Sequence, residues 1–298
     1  MKLTATSAAL FIVASAAAAT AQPAPKFEFG KADEVKDVEK VEWAATAEAG
    51  LVFTTGNGRT TTITGGLKAS RKEKANKFSI DAAGTFARSS VLKVTSTDNI
   101  ISANEVSRES TTAAQNYLVK LRYDRFLTEF NSLFVAALGG ADVVAGKDFA
   151  GGGQLGYARL LYKTEKHEVT GEFGYDFSYE DYAAEDTDSL AIHSARAFVG
   201  YKGKLSEATS VDGAVETLAN VNEQSDDVGP FKDLRATVAL GLSTKLTKSI
   251  SFSFGLTAKF DNVPAPLSFA GKMLDANDPP ETLKLDTTTK ASLIVTLF

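Results

Sequence analysis

The chain has only two histidines, His167 and His193. Paired with a serine, either could form the nucleophile–base couple of a lipid hydrolase. His193 is followed directly by Ser194, but in an extended strand adjacent side chains point to opposite faces, so these two cannot form that couple side by side. His167 falls in "TEKHE" (164–168), read as a short turn. No other residues meet the geometric test for a catalytic set, and no catalytic residue is expected.

Two further patterns have the right residue types and the wrong setting. The glycines of "GGGQLG" (151–156) resemble a phosphate-binding loop, yet the strand–turn–helix context of such loops is missing. Glycines of this kind are expected where a loop re-enters a sheet. Acids gather in the links between strands: Glu180, Asp181, Glu185, Asp186 and Asp188 in one, Glu223, Asp226 and Asp227 in a second, Asp275, Asp278 and Glu281 in a third. Carboxylates at this density could hold calcium or magnesium, but no calcium-loop spacing is present, so solvated loops and no metal site are expected. The chain contains no cysteine, which removes thiolate metal sites and cysteine nucleophiles together. No cofactor is implied.

The elements that must position these residues are strands. In "ISFSFGLTAKF" (250–260), Phe252, Phe254 and Phe260 share one face with Ile250, Leu256 and Ala258, while Ser251, Ser253, Gly255, Thr257 and Lys259 share the other. Val169, Phe173, Tyr175, Phe177 and Tyr179 likewise oppose Thr170, Glu172, Asp176 and Ser178. The same alternation predicts strands at 43–54, 59–71, 77–88, 114–126, 132–142, 153–163, 167–179, 190–203, 209–221, 233–246, 249–261 and 285–298. Most run to ten residues or more, the length of tilted membrane-crossing strands rather than of ordinary soluble ones.

The links alternate in length. Short turns fall at 72–76, 127–131, 164–168, 206–209 and 247–249, and long links at 89–114, 142–153, 180–189, 221–230 and 262–284. Only the first hairpin, at "TTGNGRT", is tight where a long link is expected. Such sorting belongs to a transmembrane antiparallel β-barrel of about twelve strands, with short turns at the periplasmic end and loops outside. Residues 1–21, with Lys2, an apolar run and small residues before Gln22, read as a cleaved signal peptide. Residues 22–42 read as a periplasmic tether, with a short amphipathic helix as the alternative, and 43–298 as the barrel. The net charge is −5, or −6 once Lys2 leaves with the signal peptide, and nothing suggests nucleic-acid binding.

With each polar face turned inward, the lumen receives Glu48, Asp81, Asp124, Glu172, Asp176, Asp212 and Glu216, together with Lys68, Lys120, Arg122, Arg196, Arg235, Lys245 and Lys259. Acids and bases are equal in number, which predicts pairing inside a filled lumen or a narrow, weakly selective channel rather than a pore of one sign. The lipid-facing set is Phe173, Tyr175, Phe177, Phe252, Phe254 and Phe260. The last strand ends "ASLIVTLF", and its register is ambiguous, because Leu293, Val295 and Leu297 crowd the face opposite Phe298.

At "EAGLVFTTGNGRTTTITGGLKASRK", "NYLVKLRYDRFLTEFNSLFVAALGG" and "KDFAGGGQLGYARLLYKTEKHEVTGEFGYDFSYED" the chain resembles the YdiY-like family of salt-induced outer-membrane proteins, a family of unknown function. The resemblance rests on the Thr55-Gly56-Asn57 turn before a threonine-rich strand, the Tyr123-Asp124 pair and the glycines between Phe149 and Tyr157. It extends over about residues 43–182 and weakens beyond. It implies a Gram-negative outer-membrane barrel and carries over no catalytic residue. A terminal Phe298 is, for that class of protein, the usual signal to the barrel-assembly machinery.

The expectation is therefore a barrel with both mature termini periplasmic, in contact with outer-membrane lipid and lipopolysaccharide. The leading functional reading is a small porin-like channel or envelope-stress barrel for small solutes or ions. The alternatives are a non-conducting structural or adhesion barrel and a lipid hydrolase.

Overall fold

In a computed structural model, residues 41–55, 59–94, 106–144, 146–183, 188–264 and 283–297 are described. The expected signal peptide, nearly all of the 22–42 tether, Phe298 and the acids Glu185, Asp186, Asp275, Asp278 and Glu281 lie outside these residues. The described chain forms twelve strands: β1 (Glu42–Thr54), β2 (Arg59–Glu73), β3 (Asn76–Val94), β4 (Val106–Thr128), β5 (Asn131–Asp142), β6 (Lys147–Lys163), β7 (His167–Tyr182), β8 (Leu190–Lys204), β9 (Thr209–Asn220), β10 (Leu234–Lys245), β11 (Ile250–Asp261) and β12 (Leu285–Thr296).

Each strand pairs antiparallel with its sequence neighbours, and β1 pairs with β12, so the sheet closes into a barrel. Closure leaves no free edge, which is what a sheet needs if its backbone groups are to be satisfied without water. The closing seam is short: four register pairs, from Thr46↔Thr296 to Ala49↔Leu293, against thirteen between β1 and β2.

Two expected loops turn out to be mostly strand. Residues 89–94 and 106–114 continue β3 and β4, paired through Ser90↔Ser110 and Lys93↔Ser107. Their serines, threonines and charged residues interrupt the apolar alternation, so hydrophobic period alone does not detect this pairing. Residues 142–153 contain only a four-residue link, and Gly151, Gly152 and Gly153 lie within β6, opposite Gly139, Leu138 and Ala137 of β5 respectively. Glycine dilutes the β signal in sequence, but here it lets neighbouring strands and rings approach closely. A second link expected to be long is therefore as tight as the first.

The ambiguous register of β12 is resolved. Ser292 pairs with Ser253 and Lys290 with Gly255, placing Lys290, Ser292 and Ile294 on the inner face and Leu293 and Val295 on the outer one. Register irregularities occur between β3 and β4, β4 and β5, β5 and β6, and β6 and β7. The pairings from β7 round to β3 through the seam run without such shifts. Bulges bend and re-aim strands, so the β3–β7 arc is shaped differently from the rest.

Candidate functional site: the barrel interior

The outer face is apolar. Leu51, Phe53, Leu155, Phe173 and Leu240 are all more than half exposed, and Phe252 and Phe254 point the same way. Phe260 shares their face by register. Tyr175 and Phe177 are half-covered by His193, whose ring lies 6.0 and 5.2 Å from theirs. His193 Nδ1 is hydrogen-bonded to the Tyr175 hydroxyl. Ser194 is buried on the opposite, inner face, where it accepts from Arg235 Nη2 at 3.2 Å. The two faces thus separate His193 from Ser194. His167 opens β7 rather than sitting in the turn, and its Nδ1 is 2.8 Å from the Tyr201 hydroxyl.

The inner face divides into two walls. From β4 to β8 its side chains are large, charged or aromatic, and buried: Lys120, Arg122, Asp124, Phe134, Gln154, Glu172, Asp176 and Arg196 are all below a tenth exposed. They form a continuous polar chain. Asp124 accepts from Arg122 at 2.7 Å, and Arg122 donates onward to Glu172 at 2.8 Å. Glu172 accepts from Arg196 at 2.5 Å, and Arg196 donates to Glu216 on β9 at 2.5 Å. The Arg196 and Glu172 side chains are 0% exposed. Arginine suits this position because its planar fork can serve two carboxylates at once.

Phe134 supports the chain from within the wall. Its ring lies 4.1 Å from the Arg122 guanidinium and 5.5 Å from that of Arg196. The ring has room because Gly156 stands beside it: a Cβ there would meet the Phe173 carbonyl oxygen at 2.6 Å and the Phe134 ring at 2.9 Å. One level nearer the loops, Lys120 donates to Gln154 at 2.9 Å, Gln154 donates to Asp176 at 2.8 Å, and the Ser178 hydroxyl donates to Asp176 at 2.6 Å.

Glu180, expected in a loop, belongs to β7 and faces inward. It pairs with Lys147 at 2.7 Å and Arg235 at 3.5 Å, and accepts from the Tyr182 hydroxyl at 2.9 Å. Its neighbour Asp181 is also in β7, exposed on the other face. Above them the 221–233 link folds back over the rim through Asn220 and Asp233, which are 0% and 2% exposed. Asn220 donates to the carbonyls of Asn222 and Gly229, and its own side-chain oxygen accepts from the Asp233 amide.

From β10 through the seam to β3 the inner wall is different. Its residues are mainly serine, threonine, glycine and alanine, most of them neither buried nor fully exposed. Thr237, Thr257, Thr288, Thr62 and Thr85 all stand at this intermediate level. Lys72 and Lys77, at the short-turn end of β2 and β3, are buried, and further along the charges come as part-exposed pairs: Lys68 with Asp81 at 3.4 Å, each 33% exposed, and Lys290 with Glu48 at 3.2 Å, at 30% and 22%. Ser292 also donates to Glu48. Lys259 and Asp212 share this inner face by register, near Asp286 and Gly241 respectively. Lys245, expected in the lumen, is exposed at the short-turn end of β10.

Sequence reasoning missed Lys147, Glu180 and Lys290. Lys147 and Glu180 were hidden by strand ends set too short, and Lys290 by the undecided register of β12. Phe134 was also missed, since a phenylalanine on the polar face of a strand breaks the very alternation used to assign faces. Among the described residues no cluster of carboxylates, histidines or cysteines is placed to hold a metal ion, and no helix is long and apolar enough to cross a membrane.

An apolar outside, a closed hydrogen-bonded ladder and a charged, hydroxylic inside define a β-barrel of the transmembrane, outer-membrane type. More particularly, the chain belongs to the DUF481 family, described as proteins of unknown function, whose model matches residues 47–297. That match runs well past residue 182, where the resemblance read from sequence weakened, and the YdiY-like reading agrees with it. No curated protein matches the chain in sequence. Similar solved structures include the NanC porin, at 8% identity and a TM-score of 0.45, covering 86% of this chain and all of that one. Another is the translocator domain of the autotransporter NalP from Neisseria meningitidis, at 13% identity and a TM-score of 0.38, covering 89% and 91%. A third is OmpT of Vibrio cholerae, an outer-membrane protein, at 8% identity and a TM-score of 0.36, covering 86% and 97%. At such identities the likeness concerns barrel architecture alone, and function has to be read from the chain's own walls.

Proposed function

We propose that this protein is an outer-membrane channel that passes small solutes or ions along one side of its lumen. The observation that carries this reading is the split in accessibility of the inner face. Side chains of the β4–β8 wall are sealed against one another, while most of those of the β10–β3 wall are part-exposed. A barrel of about eight strands is filled by its side chains and one of about sixteen leaves an aqueous channel. With twelve strands, one wall filled and the other lined by small residues, the bore is narrow and off-centre. On this reading the termini and short turns are periplasmic, the long loops meet lipopolysaccharide, and the last strand is what the assembly machinery grips. No catalytic role is assigned to the interior, whose buried charges are engaged with one another.

One observation favours a second reading, a non-conducting structural barrel. The Asp124–Arg122–Glu172–Arg196–Glu216 chain reaches from β4 to β9, and Lys120 from β4 lies within electrostatic reach of Glu216. Planar-bilayer recording of the refolded mature protein separates the two. Discrete conductance steps, reduced several-fold by Thr257→Trp on the open wall, support the channel. A silent bilayer with insertion verified independently overturns it in favour of the plugged barrel.

A further inference from the structure

Around the open wall, charge alternates in sign from strand to strand. Lys290 on β12 pairs with Glu48 on β1, and the Glu48 carboxylate lies over Gly66 of β2, where an added Cβ would be 3.5 Å from it. Two residues along β2, Lys68 pairs with Asp81 of β3, which stands in register with Lys120 of β4. The resulting order on the open wall is positive, negative, positive, negative, drawn from four neighbouring strands, and Lys120 beyond it belongs to the sealed wall. A cavity of about 50 Å³ opens beside its last two members, Lys68 and Asp81, where the open wall meets the buried Lys77, Lys120 and Arg122, and is also lined by Thr46, Ser70 and Ser79.

We infer that this belt selects small zwitterionic solutes, molecules carrying an ammonium and a carboxylate close together, over ions of either sign; the inference rests on the passage proposed above. A belt with no excess of one sign offers a lone cation or anion no net attraction, because each favourable neighbour is flanked by a repulsive one. A molecule bearing both charges can meet both kinds of neighbour at once. The Lys68–Asp81 and Lys290–Glu48 pairs are a fifth to a third exposed, and such part-solvated pairs are weak enough to exchange partners with a passing solute. The buried charges of the opposite wall add little field, since they are consumed in their own pairs. Hydroxyls between the belt residues supply donors and acceptors that carry no charge of their own.

The experiment uses the refolded mature protein in liposomes and in planar bilayers. Liposome swelling compares alanine as the zwitterion with lactamide and glycerol as neutral solutes, and bilayer recording in a potassium chloride gradient gives the cation-to-anion permeability ratio. The expected result is alanine entry at least twofold faster than lactamide, with a permeability ratio within twofold of one. Asp81→Asn and Glu48→Gln, each nearly isosteric, should shift the ratio at least threefold toward anions and abolish the preference for alanine. The heat-dependent shift in gel mobility verifies that each variant is folded, and Lys290→Met, which should shift the ratio toward cations, serves if either carboxamide variant is not. Lactamide and glycerol entry without any preference for alanine overturns the zwitterion assignment and leaves the passage standing. No entry of any solute overturns both.

Discussion

The two inner walls of this barrel are made by the same alternation of residues, yet the side chains of one are buried and most of those of the other are part-exposed. On β4–β8 the inward positions carry Lys120, Arg122, Asp124, Phe134, Glu172 and Arg196, and the irregular pairings between β3 and β7 lie mostly under this same arc. On β10–β3 the inward positions are mainly small and hydroxylic with a few charges between them, and the pairing is regular. The difference teaches that bore is set by side-chain volume on each arc as well as by strand number. It also predicts that equal substitutions on the two walls will have very unequal effects.

The largest effect is expected at Arg196. Removing it leaves Glu172 and Glu216 buried without their shared cation, and breaking a buried pair from one side typically costs about 3–5 kcal/mol. Arg196→Met should therefore lower the urea midpoint of the refolded barrel sharply, or prevent refolding in detergent. Replacing Arg196, Glu172 and Glu216 together by apolar residues of similar size should recover much of the loss, because no uncompensated charge remains. If the single variant unfolds at the wild-type midpoint, the sealed wall is not the rigid side of the molecule.

Glycine gives the next contrast. Gly156→Ala forces a methyl group against the Phe173 carbonyl oxygen and the Phe134 ring, so Phe134 must leave its place beside Arg122, at an overpacking cost of about 1–3 kcal/mol. On the open wall a Cβ at Gly255 would come no nearer than 3.7 Å to the Leu240 carbonyl oxygen, an ordinary contact. Gly255→Ala should change stability by no more than about 0.5 kcal/mol. Thermal or urea unfolding of the two variants side by side checks the pair, and equal losses would mean that the walls are packed alike.

Much of this architecture was legible in the chain. Period-two alternation located all twelve strands because an apolar exterior and a polar interior enforce it on every strand, from Thr61–Ala69 to Ile250–Phe260. It failed where one of the two faces lost its character. The far end of β4 is polar on both sides, β6 carries glycine on both sides at Gly151–Gly153, and Phe134 is apolar on the inside. The inward charges could be named from alternation, and their balance anticipated that they would pair. Which acid meets which base could not be read, because Arg122 and Glu172 stand three strands apart and are brought together by the stagger of the barrel and the ring between them. The division into a sealed and an open wall was hidden for the same reason, being a property of neighbouring strands and not of any one segment.

The smallest expected effect on stability is the most informative about function. Lys68→Met removes one partner of a pair that is a third exposed, and such pairs contribute about 0–1 kcal/mol, so the unfolding midpoint should barely move. Conduction should respond instead. With Lys68 gone, Asp81 and Glu48 face the open side with one positive neighbour fewer, and current through an open passage should shift toward cations. The sealed wall sets the opposite expectation: Asp176→Asn lies in a hydrogen-bonded chain with Gln154 and Ser178, away from open space, and should leave ion preference unchanged. Measured in the same bilayer, a shift for Lys68→Met with none for Asp176→Asn assigns permeation to the β10–β3 side. Equal shifts would mean that the solute meets both walls, and the asymmetry in burial would then concern stability alone.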